Sequence, residues 1–200
     1  MGSILEALSP EQQIACSTQN NILLTACPGS GKTRTLTHRL AYQVLRDPAS
    51  KKIKIAITYT NRAAEEITNR LEGMNIDQSS IWAGTIHQFC MHFIIRPYAM
   101  YSKRLCKGYR IIDDYSKKAY GREIAERLGM HLNYYDDPFQ YENVRTEYKR
   151  VLKEKKEIDF DAILLISEEL LASCAFIGSN IASVISSILV DEFQDTNELQ

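Results

Sequence analysis

The chain has 200 residues, 44% of them hydrophobic and 24% charged, which suits one full domain, or one domain with a smaller one inserted, and excludes a disordered or fibrous chain. Its formal charge of −1, from 24 Lys/Arg against 25 Asp/Glu, does not by itself indicate a polyanionic partner. The distribution is uneven, however: residues 96–156 carry 15 Lys/Arg against 9 Asp/Glu, and the remainder carries 9 against 16, so a basic surface is expected in the middle of the chain.

The five cysteines are odd in number and widely spaced, without a CxxC pair, which argues against a disulfide framework or a zinc site and fits a reducing, cytoplasmic setting. The N-terminus has no basic segment followed by an apolar core, so no secretory leader is expected. Leu170 to Val190 is uncharged but contains five serines, too polar for a membrane span, and reads as a helix end, a loop and a buried strand.

In chain order, the apolar run Asn21–Ala26 predicts a strand, followed by the Gly-rich turn Cys27-Pro28-Gly29-Ser30-Gly31. From Lys32 the spacing becomes helical, with Leu36, Leu40 and Val44 on one face. Further strands are predicted at Ile53–Thr60, Ile81–Ile86 and Ser187–Val190, with a helix from Arg62 to Leu71. Apolar strands separated by helices indicate a parallel sheet covered on both faces. Between about 90 and 180 the composition shifts to charged helical patterns, and nine of the eleven tyrosines lie between Tyr98 and Tyr148. The expected organisation is an α/β domain made from both ends of the chain, with a mostly helical insert between its third and fourth strands.

Two motifs carry chemistry. Ala26-Cys27-Pro28-Gly29-Ser30-Gly31-Lys32-Thr33 lies between a predicted strand and a helix, the context of a phosphate-binding P-loop. Backbone N–H groups and the helix N-terminus face phosphate oxygens, and Gly29 and Gly31 allow the close approach. Lys32 supplies a cation to the β- and γ-phosphates, and the Thr33 hydroxyl suits Mg²⁺. The second motif, Asp191-Glu192-Phe193-Gln194-Asp195, ends an apolar strand, at the sheet edge where open α/β folds bind ligands. Asp191 is expected to hold Mg²⁺, Glu192 to orient and deprotonate an attacking water, and Gln194 to sense the γ-phosphate.

Together these residues resemble the N-terminal part of superfamily 1A DNA helicases, the UvrD/Rep/PcrA type. Leu8-Ser-Pro-Glu-Gln12-Gln-Ile-Ala15 resembles the Q motif, which implies that Gln12 reads the adenine edge. Ala26 to Thr33 matches motif I, where the family also has Ala in place of the first Gly, and Arg34 follows near the nucleotide. Ala56 to Glu65 matches motif Ia, and Gly84-Thr85-Ile86-His87-Gln88 resembles motif Ib with Ile86 where an aromatic is usual. Ile158-Asp-Phe-Asp161 resembles the segment before motif II, and Asp191 to Thr196 matches motif II.

The resemblance implies a RecA-like, P-loop NTPase 1A domain over 1–92 and 182–200, with a helical 1B-type domain inserted over 93–181. It implies ATP and Mg²⁺ as cofactors, and single-stranded DNA and single-/double-strand junctions as partners. The activity implied is 3′-to-5′ translocation and unwinding driven by ATP hydrolysis. Tyr59 is expected to stack on a base, with Thr60, Asn61, Thr85 and His87 as further DNA contacts. The residues alone leave Tyr59 open as a half-buried strand tyrosine, His87 as a core histidine, and Trp82 as packing.

The insert's Arg96, Lys103, Arg104, Lys107, Arg110, Lys117 and Lys118, interleaved with Tyr98, Tyr101, Tyr109 and Tyr115, suit a surface that tracks a nucleic-acid backbone. Lys149 to Lys156 reads as a solvated helix face. In the family, motifs III to VI and a second RecA-like domain follow motif II and supply arginines to the transferring phosphoryl group. A chain ending at Gln200 is therefore expected to bind Mg·ATP weakly, to hydrolyse it negligibly alone, and to have that C-terminal domain as its missing partner.

Other readings remain. A small-molecule kinase is disfavoured by Gln12 and the Tyr59-Thr60-Asn61 cluster. An ATP-binding DNA-binding or regulatory module without catalysis, or a recombination helicase-nuclease subunit, stays open at this point, as does the choice among repair, replication restart and recombination.

Overall fold

The computed structural model describes residues 2–27, 29–133 and 135–196. They form two compact units, one built from the chain up to Phe89 and again from Gly178, the other from Cys90–Ile177.

The first unit begins with α1 (Gly2–Leu5) and α2 (Pro10–Ser17). Ser9 starts α2 with a reciprocal cap: its hydroxyl accepts from Gln12 N, its N–H donates to Gln12 Oε1, and Pro10 fills the first turn. After the loop come α3 (Lys32–Arg46), β1 (Ile53–Thr58), α4 (Asn61–Gly73), β2 (Ile81–Thr85) and α5 (Ile86–Phe89). Leu40, Ala41 and Val44 of α3 meet Ala56 of β1 and Ile67 and Leu71 of α4 in one buried cluster, so both helices bury the apolar stripe that their spacing predicts.

The second unit runs through a π-helical turn at Cys90–Ile95, α6 (Arg96–Tyr98), a 3₁₀ turn at Ala99–Tyr101, β3 (Arg110–Ile111), α7 (Asp114–Arg127), α8 (Glu142–Lys155), β4 (Glu157–Ile158) and α9 (Phe160–Ser173). Its core joins Ile112, Ile124, Ala125, Val144, Tyr148 and Leu152. It is mostly helical, with one short parallel ladder between β3 and β4. Asp113 and Asp159 cap α7 and α9, each carboxylate accepting a backbone N–H three residues on. The chain then passes through α10 (Ala175–Val184) into β5 (Ile185–Val190) of the first unit.

The sheet of the first unit is parallel, in the order β2-β1-β5. Thr58 is in register with Thr85, and Ile57 with Val190, so all three strands deliver their C-terminal ends to one edge. Asp191 N continues the ladder by donating to Ile57 O at 2.8 Å.

Two expectations need correction. Residues 21–26 are extended but form no strand: Ile22, Leu23 and Leu24 are exposed, Leu23 by 74%. Their apolar run supplies strand propensity, but the segment pairs neither with β1, which is flanked by β2 and β5, nor with the open side of β5, and propensity without a hydrogen-bonded partner makes no strand. The strand expected to be buried at 187–190 starts earlier, at Ile185, and is only half-buried, with Ile188 51% exposed. It is paired on the β1 side alone among the described residues.

Candidate functional site

The turn before α3 is shaped by two glycines in the left-handed region, Gly29 at φ +79° and Gly31 at φ +87°. Gly31 occupies the N-cap position of α3 and offers no side chain to the helix, so α3, unlike α2, α4, α7 and α9, starts without a side-chain cap. Its first N–H groups keep their bonding capacity for a ligand, with the positive end of the helix dipole behind them. A Cβ on Gly31 would sit 3.2 Å from Gln12 Nε2, so the glycine also admits the side chain of α2.

Around this turn lies a cleft of about 790 Å³, lined among others by Ala26, Gly29, Gly31, Lys32, Thr33, Arg34, Glu192 and Gln194. Lys32 Nζ is held back onto the loop, donating to Ala26 O at 3.0 Å and Cys27 O at 3.3 Å. Ser30 N donates to Cys27 O, closing the turn; Pro28 lies outside the described residues. Thr33 Oγ1 donates to Asp191 Oδ2 at 2.9 Å, which ties the phosphate turn to the acidic strand end across 158 residues. Asp191 Oδ1 accepts from Glu192 N at 3.1 Å. Glu192 takes up a left-handed conformation, φ +52°, uncommon for a side-chain-bearing residue, and its carboxylate accepts from Gln194 Nε2.

Gln12 packs its side chain against the turn. Its Oε1 accepts from Ser9 N and its Nε2 donates to Ser30 O at 3.0 Å, so the side chain braces the phosphate turn. Arg34 extends away from the turn, donating to Ala7 O at 2.9 Å.

The residues assigned to DNA sit at the same sheet edge. Tyr59, Thr85 and His87 line a second cleft of about 270 Å³ together with Thr58, Asp191 and Glu192, so Glu192 lines both clefts, with Asp191 bonded to Thr33 of the first. Tyr59 is 66% exposed, which excludes the half-buried alternative. Thr60 Oγ1 accepts from Ala63 N to cap α4, and Thr85 Oγ1 accepts from Gln88 N at the start of α5. Each hydroxyl keeps its own proton to donate outward. Asn61 opens α4 and is exposed. Trp82 packs edge-on against Phe89, their centroids 6.0 Å apart, and its ring occupies the space a Cβ on Gly84 would need.

Sequence reasoning missed the Glu66–Arg70 ion pair of α4, which lines the larger cleft opposite the phosphate turn. The i,i+4 spacing of opposite charges on a helix that follows motif Ia was the available signal.

Among the described residues no group of three His, Cys, Asp or Glu side chains is placed to hold a metal alone. Thr33 and Asp191 bring one hydroxyl and one carboxylate together at the turn.

The sequence profile of the UvrD/REP helicase N-terminal domain matches residues 8–137 and 131–200. The chain belongs to the UvrD/REP helicase N-terminal domain family. It is 27% identical to DNA helicase II of Escherichia coli (strain K12) over 98% of this chain and 31% of that protein. It is 27% identical to the ATP-dependent DNA helicase PcrA of Leuconostoc citreum over 92% of this chain and 28% of that protein. To PcrA of Staphylococcus aureus (strain Mu50 / ATCC 700699) it is 26% identical over 100% of this chain and 31% of that protein. This UvrD/REP-type chain thus spans about a third of the length of the curated relatives it matches. No helix among the described residues is long and apolar enough to cross a membrane.

Proposed function

We propose that this chain is the nucleotide-binding part of an ATP-dependent DNA helicase that binds Mg·ATP and single-stranded DNA, with hydrolysis driving 3′-to-5′ translocation and unwinding at single-/double-strand junctions in the whole protein. The observation that carries this reading is the Thr33–Asp191 hydrogen bond, which joins the P-loop to the acidic strand end at an uncapped helix N-terminus. The relatives' ATP-dependent DNA helicase activity supports the reaction class, and the 3′-to-5′ direction follows the UvrD/Rep/PcrA resemblance.

In this reading Gly29, Ser30, Gly31 and the first N–H groups of α3 receive the phosphates, and Lys32 turns from Ala26 O and Cys27 O to the β- and γ-phosphate oxygens. Thr33 and Asp191 would hold Mg²⁺, which when bound draws charge from the phosphate oxygens. The Glu192 carboxylate would accept the proton of the attacking water, oriented with help from Gln194. Tyr59 would stack on a base and the Thr60 and Thr85 hydroxyls would donate to phosphates, beside the same acidic pair. The two units would correspond to a RecA-like 1A domain and an inserted 1B-type domain, a reading supported by the return of the chain from Ile177 to the sheet of the first unit. The free thiols among the described residues fit a cytoplasmic protein.

Titration of the chain with a fluorescent ATP analogue, with and without MgCl₂, tests this reading. Saturable binding that Mg²⁺ strengthens, and that Asp191→Asn renders indifferent to Mg²⁺, is expected. Binding absent at millimolar nucleotide, or unchanged by Lys32→Ala, overturns the reading.

A further inference from the structure

The basic stretch of the second unit does not act as one surface. Arg110 is spent on Glu157, and Lys117 on Asp161, with Asp159 3.7 Å away. Besides the exposed Lys118, what remains is a local group. Arg96, Lys103, Arg104 and Lys107 are exposed, and no carboxylate occurs in the sequence from 96 to 112. Lys156 joins them from the end of α8, its Nζ donating to Lys107 O at 3.4 Å. Among the described residues none of these five cations has a carboxylate within ion-pairing distance.

In the same stretch the fold assembles three aromatic rings that are far apart in sequence. Tyr98 and Tyr101 come from the turns after the π-helical segment, and Phe176 comes from the first turn of α10. Tyr101 and Phe176 meet at 5.0 Å between centroids, and Tyr98 lies 6.1 Å from Phe176 and 6.4 Å from Tyr101. Tyr101 is 50% and Phe176 43% exposed, and the neighbouring Met100 is 71% exposed. A trio in which Phe176 meets both tyrosines edge-to-face and the tyrosines lie tilted to each other, with ring surface left in water, gains little as a core. Set in the same segment as unpaired cations, it has the composition of a stacking platform with its phosphate contacts.

We propose that Tyr98, Tyr101 and Phe176, with Arg96, Lys103, Arg104, Lys107 and Lys156, form a binding site for single-stranded DNA on the second unit, additional to the strand-end residues. The rings take bases on their faces without reading identity, and the cations neutralise the backbone phosphates on either side. The proposal rests on the reading of this chain as a DNA-acting protein and adds a second point of contact to it.

The test uses the full chain and a fluorescein-labelled oligo-dT of about 20 nucleotides, longer than one stacking site. Tyr101→Ala/Phe176→Ala is expected to weaken binding about 10-fold, the loss of one stacking platform. Lys103→Gln/Arg104→Gln/Lys107→Gln, which leaves the rings in place, is expected to lower the slope of log affinity against log salt by about 2, at ~0.7 per released phosphate contact. Photo-crosslinking with 5-iodouracil in the same oligonucleotide should label peptides containing 98–107 or 176. Both variants should bind the fluorescent ATP analogue as the parent does. Unchanged affinity and slope with labelling confined to the Tyr59 peptide overturns this proposal while sparing the proposed function. The same unchanged values with concentration-dependent self-association, abolished by the ring variant, overturn it in favour of a protein-docking face. No binding of the parent chain to oligo-dT sinks the DNA part of both.

Discussion

The two units handle their polar groups in opposite ways. In the second, charge is paired with charge, mostly at the surface. Glu147 receives both Arg127 and Arg150, Arg150 also reaches Glu154, Lys117 bridges to Asp161, and Tyr148 donates to the buried Asp159. In the first, the notable polar groups stand at strand ends and a bare helix start with capacity to spare. Lys32 rests on carbonyls, Thr33 on Asp191, and Glu192 on Gln194. A charged side chain with a fixed partner stabilises a fold, whereas one parked on weaker acceptors can be handed to a ligand. The exception in the second unit is the group around Lys103 and Arg104, which has no carboxylate within ion-pairing distance among the described residues.

The comparison breaks most visibly at Asp159. Removing its carboxylate strips the α9 cap and leaves the Tyr148 hydroxyl without its buried acceptor. Asp159→Ala should therefore cost about 2–4 kcal/mol in urea unfolding. Its affinity for the ATP analogue should hold wherever the chain remains folded. A variant as stable as the parent would refute the view that the second unit's polar groups are committed to one another.

Lys32→Ala should do the reverse, leaving the unfolding midpoint in place. It should weaken binding of the ATP analogue about 10- to 100-fold, the range of a hydrogen bond to a charged group. A stability loss without an affinity loss would place Lys32 among the structural cations instead.

Gly31→Ala sharpens the contrast within the first unit. Left-handed φ costs a residue with a Cβ about 1–2 kcal/mol, and the new methyl would press on Gln12 Nε2. Lower stability together with weaker nucleotide binding is expected, and a Gln12→Ala background should relieve only the part of the stability loss due to the methyl contact, the φ cost and the binding loss persisting.

The smallest effect is a pH dependence. The Ser116 backbone N–H, with the Ser116 side chain, holds the Asp113 carboxyl below its ordinary value at the start of α7. Because the folded-state pKa is depressed, this contribution is present above the unfolded value near 4 and is lost as pH falls through the folded value. Thermal unfolding of Asp113→Asn from pH 6 downward should show a shallower acid decline than the parent, and parallel curves would remove the cap from the account.

Much of the fold was legible because its signals are local. The helical stripe Leu36-Leu40-Val44, the Thr60 cap ahead of α4, and the apolar runs that became β1 and β2 are each written within a few residues. The phosphate turn was legible for the same reason, since its glycines, Lys32 and Thr33 are contiguous. The strand expected at 21–26 is absent because a run of Ile and Leu records propensity alone, whereas a strand also needs a hydrogen-bonded partner. The contact of Gln12 with the turn is not written locally: its amide joins Ser9 of its own helix cap to Ser30, 18 residues away.

By itself, the sequence determined the chemistry available at the strand ends: which side chains can meet phosphate, and that an acidic pair would end a strand. Tertiary structure alone decided which charges remain available. Arg110 loses its availability to a glutamate 47 residues away, Lys117 to an aspartate 44 residues away, and Phe176 joins two tyrosines from another segment. Charge pairing depends on distances of a few ångströms between groups that only the folded chain brings together, so composition sets the total and packing sets what a ligand can still use.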